Sequence, residues 1–132
     1  MRNKIIIITG DPNSVNSEIL YKTWKKLNAS TRKKIFLIGN YKLICKQFQA
    51  LRIKLTLTKV NDFNQKSLSS NLKIINIPLN FKNPFNVSVK ESSRYLIKSL
   101  NLAHELAIKK KIIGFISCPT DKKLIKDSTN KG

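Results

Sequence analysis

The sequence predicts an α/β fold, in three α/β/α layers around a mainly parallel sheet. Three observations lead there. Short continuous apolar runs, Ile5 to Ile8, Ile35 to Ile38 and Ile112 to Ile116, are rich in β-formers and suit strands covered on both faces. Apolar residues at i, i+4, i+7 lie between the runs, and turn chemistry ("TGDP", "GN", "SCPT") follows them.

Taken in order, Ile5 to Ile8 is the first strand, and Gly10 and Pro12 end it. Leu20, Trp24 and Leu27 then give a helix one apolar stripe, with core packing as the role of Trp24. Ile35 to Ile38 is the second strand. Asn40 caps a second helix whose stripe is Ile44, Phe48 and Leu51. Ile53, Leu55 and Leu57 alternate with polar residues as a third strand, Asn61 to Asn71 reads as a polar loop, and Leu72 to Ile77 is the fourth strand. "PLNFKNPFN", from Pro78 to Asn86, is an irregular connection. Ser88 and Glu91 have the spacing at which hydroxyl and carboxylate satisfy each other's backbone donors, so the longest helix starts there. It buries Leu96, Leu100, Ala103 and Ala107 and runs to about Lys110, where lysines oppose the negative end of its dipole. A strand over Ile112 to Ile116 and a short helix after Pro119 complete the chain as a single unit, residues 1–132.

The net charge of +19, from 26 Lys+Arg against 7 Asp+Glu, has two readings. Clustered basic residues would mean a polyanion partner. Here they are spread from Lys4 to Lys131, lysine greatly outnumbers arginine, and Ile and Asn are abundant, a pattern that suits compositional drift and a solvated surface. Nucleic acid is therefore the lesser expectation. Cys45 and Cys118 form no C-x-x-C pair, so neither a disulfide framework nor a zinc site is signalled, and a reducing cytoplasm is the simplest location. No apolar run reaches the length of a membrane span.

In a parallel sheet, ligands sit beyond the carboxyl ends of the strands, where "TGDP" and "SCPT" fall. Neither common nucleotide fingerprint, G-x-G-x-x-G or G-x-x-x-x-G-K-[ST], is present. Gly10 offers a turn, Asp11 a base or hydrogen-bond acceptor, and Pro12 a stiff exit; the plainer alternative is strand-ending turn chemistry. Thr120 suits an N-cap, Asp121 the first turn of the following helix, and Lys122 either an anion or plain solvent. His104, the only histidine, has no partner at ligand spacing and reads as a surface or core residue. No complete catalytic set appears.

Thr9-Gly10-Asp11-Pro12 with Glu18 after it, and Pro119 with Lys122 after the last strand, resemble the 4-hydroxythreonine-4-phosphate dehydrogenase family. Its members open with a strand and Gly-Asp/Glu-Pro-x-Gly-Ile-Gly-Pro-Glu, and later carry Gly-Pro-x-x-Lys. Gly10, Asp11, Pro12 and Glu18 match the first motif, with Val15 for its isoleucine, and Pro119 and Lys122 match the second. Ser14 and Asn16 stand at its glycines, Ser17 at its second proline and Cys118 at the glycine of the second motif.

The resemblance implies an isocitrate/isopropylmalate dehydrogenase-like fold, of which this chain is the N-terminal part. It implies an NAD-dependent enzyme of pyridoxal phosphate biosynthesis that uses a divalent metal ion and oxidises a small phosphorylated hydroxy-amino acid as a homodimer. Thr9, Gly10, Asp11, Pro12, Pro119 and Lys122 would line the substrate and cofactor crevice. The Gly-x-Thr-Glu segment and the metal ligands would lie beyond Gly132, leaving this chain inactive alone. A dehydrogenase of another phosphorylated hydroxy acid is the nearest alternative, and a small basic nucleic-acid-binding protein is the alternative from another class.

Overall fold

The computed structural model describes residues 4–14, 16–61 and 71–118. In chain order it has β1 (Ile5–Ile8), α1 (Asn16–Lys26), α2 (Ala29–Arg32), β2 (Ile35–Gly39), α3 (Tyr41–Ala50), β3 (Leu57–Val60), β4 (Leu72–Asn76), α4 (Val89–Ile108) and β5 (Gly114–Ser117). The strands form one sheet in the order β3-β4-β2-β1-β5, and every neighbouring pair is parallel.

Strand alternation divides the apolar residues between two cores. Ile6, Ile8, Phe36, Ile38 and Val60 point to one face and pack with Tyr95 and Ala103 of α4. Ile35, Leu37, Leu57, Leu72 and Ile74 point to the other and meet Leu20 and Trp24 of α1 and Ile44 and Phe48 of α3. This is the three-layer α/β/α arrangement expected. Each such aliphatic side chain contributes about 1.5 to 3 kcal/mol by leaving water. Arg32 completes the α1 layer from α2: its guanidinium donates twice to the Trp24 carbonyl, at 3.1 and 2.8 Å, and lies 5.1 Å from the Trp24 ring centre.

Of the expected caps, those at Asn40 and Ser88 are present, and Thr120 lies outside the described residues. The Asn40 side chain accepts from the Leu43 N–H at 2.9 Å and donates to the Ile77 carbonyl at 2.8 Å, so it starts α3 and ties it to the end of β4. The Ser88 hydroxyl accepts from the Glu91 N–H at 3.2 Å and starts α4. The buried stripe of α4 is Ser92, Ser93, Tyr95, Leu96, Ser99 and Ala103, and the expected Leu100 and Ala107 are only partly buried.

Three expectations are corrected and one element is new. The third strand begins at Leu57, not Ile53. Arg52 takes a left-handed φ of 57° and the Ile53 N–H returns to the Phe48 carbonyl at 2.8 Å, so the chain is still leaving α3 there. Ile53 and Leu55 pack on the α1–α3 core from a connecting stretch instead. Second, α4 ends at Ile108, slightly short of the expected end, because Lys110 turns left-handed at φ 56°. Third, the last strand is Gly114–Ser117 and is not covered on both faces: it is an edge strand, and none of its residues is buried. Fourth, the single turn of α2, capped by Asn28 on the Thr31 N–H at 2.8 Å, was not expected. The short helix after Pro119 and most of the loop between Asn61 and Asn71 lie outside the described residues. No helix among the described residues is long and apolar enough to cross a membrane.

Candidate functional site

The turn that leaves β1 is built at the carboxyl ends of the two central strands. The Thr9 N–H extends the ladder to the Ile38 carbonyl at 3.1 Å, and its hydroxyl shares a 2.9 Å hydrogen bond with the Tyr95 hydroxyl. The same tyrosine oxygen accepts from the Asn40 N–H at 2.7 Å, so one α4 side chain joins the exits of β1 and β2. Burial pushes the Tyr95 pKa up to about 12, against the opposing pull of its hydrogen bonds with Thr9 and Asn40. Gly39 makes the closeness possible: a Cβ there would meet Thr9 Oγ1 at 2.5 Å and Tyr95 Oη at 2.8 Å. Gly10 then takes φ 78°, a left-handed conformation suited to glycine, and the chain reverses.

Side chains finish the turn. The Asp11 carboxylate accepts from the Asn13 N–H at 2.9 Å, and the Ser14 hydroxyl donates to the Asp11 carbonyl at 2.9 Å. Asn13 pairs with the backbone of Val87 in both directions, donating to its carbonyl at 2.8 Å and accepting from its N–H at 2.7 Å. Gln47, buried on α3, donates to the Pro12 carbonyl at 2.8 Å and the Pro84 carbonyl at 2.7 Å, and accepts from the Ser17 hydroxyl. The β1–α1 turn and the segment before α4 are therefore clamped together. Beside the clamp opens a cleft of about 440 Å³, lined by Asn80, Phe81, Lys82, Asn86, Val87 and Ser88.

Of the residues singled out in the sequence, Thr9, Gly10, Asp11 and Pro12 stand together at this end of the sheet, with Asp11 half-buried and the others buried. Pro119 and Lys122 lie outside the described residues. Glu18 sits on α1 and makes an exposed 3.2 Å ion pair with Lys22. His104 is exposed. Sequence reasoning missed Gln47, Tyr95 and Asn13, and met Gly39 only as part of the "GN" turn. A signal existed for Gln47, a polar residue beside Ile44 and Phe48 on the buried face of its helix, and for Tyr95, which adjoins Leu96 on the stripe of α4.

Ser14 and Asn16 keep the turn by other means than glycine. Among the described residues, the left-handed non-glycine positions are Arg52 and Lys110, so neither Ser14 nor Asn16 needs glycine's freedom. Asn16 donates to the Thr9 carbonyl at 3.0 Å from the first residue of α1. Cys118, bonded through its N–H to the Ile8 carbonyl at 2.9 Å, is a free thiol whose pKa burial raises, and the same holds for Cys45. Neither is poised as a thiolate.

Among the described residues, no group of three or more His, Cys, Asp or Glu side chains is placed to hold a metal ion. Within the turn, the Asn13 N–H is held by one Asp11 carboxylate oxygen, and the Ser14 N–H and hydroxyl both by the Asp11 carbonyl.

No protein-family model matches the sequence. No curated protein matches it either. Solved structures do: a 4-hydroxythreonine-4-phosphate dehydrogenase from Burkholderia phymatum aligns with a TM-score of 0.82 over 97% of this chain and 39% of its own, at 19% identity. The chain has the fold of 4-hydroxythreonine-4-phosphate dehydrogenases. The enzyme from Klebsiella pneumoniae gives a TM-score of 0.78 at 18% identity, over 96% of this chain and 40% of that one. A Salmonella typhimurium structure provisionally assigned as the same dehydrogenase gives 0.79 at 18% identity, over 98% and 41%. The likeness first read from Gly10, Asp11, Pro12 and Glu18 thus holds at the level of an α/β dehydrogenase-like fold, and this chain spans about two fifths of the structures it matches.

Proposed function

We propose that residues 1–132 are the N-terminal unit of an NAD-dependent 4-hydroxythreonine-4-phosphate dehydrogenase of pyridoxal phosphate biosynthesis, a cytoplasmic homodimer when whole. The observation that carries this reading is the fold match over almost the entire chain, with "TGDP" at the carboxyl end of a central strand where that sheet class takes its ligands. When bound, NAD would accept hydride from the substrate's hydroxyl carbon, and a divalent metal would polarise the developing carbonyl.

This chain's own part is to shape the crevice. Tyr95 and Gln47 hold the turn against the sheet and Asp11 stiffens it, and the resemblance of their motif supports Pro119 and Lys122 as further residues of the same crevice. In this reading the metal ligands come from outside residues 1–132, in keeping with the lack of a ligand cluster among the described residues.

The test is to read the coding DNA beyond the Gly132 codon, produce the protein it specifies, and assay it for NADH formation with 4-phosphohydroxythreonine, NAD and a divalent metal. Turnover by that protein and none by the 132-residue chain is the expected result. Turnover by the 132-residue chain alone overturns the assignment of the metal ligands, and turnover only with a different phosphorylated hydroxy acid overturns the substrate. A stop codon directly after Gly132 would overturn the reading of these residues as a unit of a longer enzyme.

A further inference from the structure

Basic residues that are spread along the sequence gather in space at one end of the sheet. All its strands run parallel, so their starts lie together at the end opposite the Thr9 to Pro12 turn. Lysine stands at every one of them. In sheet order, Lys54 leads into β3, Lys73 is the second residue of β4, Lys33 and Lys34 precede β2, Lys4 precedes β1, and Lys109, Lys110 and Lys111 lead into β5. Backbone bonds knit the row: the Ile5 N–H donates to the Lys34 carbonyl and the Ile113 N–H to the Lys4 carbonyl, both at 2.8 Å. With neighbouring strands about 4.8 Å apart, the row is roughly 20 Å long. In its middle the buried Lys73 ammonium donates to the Lys33 carbonyl at 3.2 Å and lies 4.7 Å from the centre of the Phe36 ring, which the Lys4 ammonium also approaches, to 5.6 Å. Burial, and then the charge of Lys4, lower the Lys73 pKa.

We propose that the amino end of the sheet is a docking surface for the phosphate backbone of a double-stranded nucleic acid, bound without reading its sequence. The surface is separate from the dehydrogenase crevice, which lies at the other end of the strands. Its charge is not neutralised from within. Among the described residues the ion pairs are Glu18–Lys22 and Glu105–Lys109, so Lys109 is the one member of the row with a carboxylate partner there. The other described carboxylates stand toward the carboxyl ends of the strands: Asp11 follows β1, and Glu18 and Glu91 lie in the first turns of α1 and α4. Helix dipoles account for a lysine at a helix end, such as Lys109, but Lys4, Lys54 and Lys73 end no helix. Shape then selects the partner. A line of cations across the sheet matches a line of phosphates, where a lipid surface is met by a broad face with an apolar side. The row holds no aromatic side chain on which bases could stack, and Phe36 beneath it is buried, so the contact is to backbone.

The probe is a fluorescein-labelled DNA duplex of about 20 base pairs, whose binding is followed by anisotropy as salt is raised; the logarithm of affinity falls with that of salt by about 0.9 for each phosphate engaged. Two triple variants lose the same charge from different places, and every lysine replaced is exposed. Lys33→Gln with Lys54→Gln and Lys111→Gln strips the row, and should weaken binding about tenfold or more at low salt and flatten the slope by about 2 to 3. Lys42→Gln with Lys82→Gln and Lys90→Gln strips the other end of the strands, and should stay within about threefold of the unaltered chain. Equal losses in the two variants would mean adhesion by net charge alone and overturn the proposal, as would a duplex that is not bound. Tighter binding of a single strand than of the duplex overturns the backbone contact. Phosphatidylserine vesicles that displace the duplex at equal phosphate concentration would assign the row to a membrane and overturn it as well. None of these readouts involves turnover, so a failed dehydrogenase assay and a failed duplex assay remain distinguishable.

Discussion

β2 and β5 are built from nearly the same residues, Ile-Phe-Leu-Ile-Gly and Gly-Phe-Ile-Ser, and have opposite surroundings. Every residue of β2 is buried, between β1 and β4 in the sheet and between helix layers above and below. No residue of β5 is, although β5 pairs in register with β1 just as β2 does. Apolar β-branched and aromatic residues specify extended backbone. Place in the sheet order decides whether that backbone is also covered, and place is set by helices and partners far away in sequence.

The sharpest break of the comparison is a matched pair of truncations. Ile38→Ala removes a fully buried side chain from the core between the sheet and α4 and should cost about 2 to 5 kcal/mol in urea unfolding, whereas Ile116→Ala should stay within about 0.5 kcal/mol. Equal losses would mean that β5 is covered in solution. A second prediction uses pH, because the exit of β2 carries a buried titrating group. Tyrosine in the unfolded chain ionises near 10, and Tyr95 in the folded chain near 12. Between those values the unfolded chain has lost a proton that the folded chain keeps. Stability from this group is therefore full below pH 10 and falls as pH rises toward 12, by about 2 to 3 kcal/mol in all. Tyr95→Phe should remove that fall, at a cost near neutral pH of about 1 to 3 kcal/mol for the stranded Asn40 N–H. An unchanged pH profile in Tyr95→Phe would show that the hydroxyl is not buried as described.

The third prediction compares two glycines. Gly39→Ala forces a Cβ against the Thr9 and Tyr95 hydroxyls and should lower stability by about 1 to 3 kcal/mol. Gly114→Ala meets nothing within 4 Å and should be neutral or stabilising by about 0.5 kcal/mol, since it removes unfolded-state freedom from a strand. The smallest expected effect concerns the exposed Glu105–Lys109 pair at 2.8 Å: Glu105→Gln should change the melting temperature barely at all, and less still in high salt.

What the sequence made legible was local. Ile5 to Ile8 and Ile35 to Ile38 declared themselves as strands, and Asn40 and Ser88 as caps, because each signal sits within a few residues of its effect. Gly10, Asp11 and Pro12 were legible as a turn because the end of a strand has its own chemistry. What was not legible was long-range. Nothing near Tyr95 says that its hydroxyl will meet Thr9, 86 positions away, and nothing in Phe115-Ile116 tells an edge strand from a central one. The late start of β3 has a similar cause: alternation at Ile53, Leu55 and Leu57 was real, but the pairing register with β4 begins at Leu57 opposite Leu72.

Gln47 carries a consequence for the order of assembly. Its amide and carbonyl oxygen reach Ser17, Pro12 and Pro84 across separations of 30, 35 and 37 positions. Helix α3 can form early from its own residues, but the amide finds these partners only after β1, β2 and the segment before α4 have been brought together, each closure costing chain entropy. The clamp thus depends on the same chain closures as the pairing of β1 with β2 and of β2 with β4, and it stands or falls with the sheet.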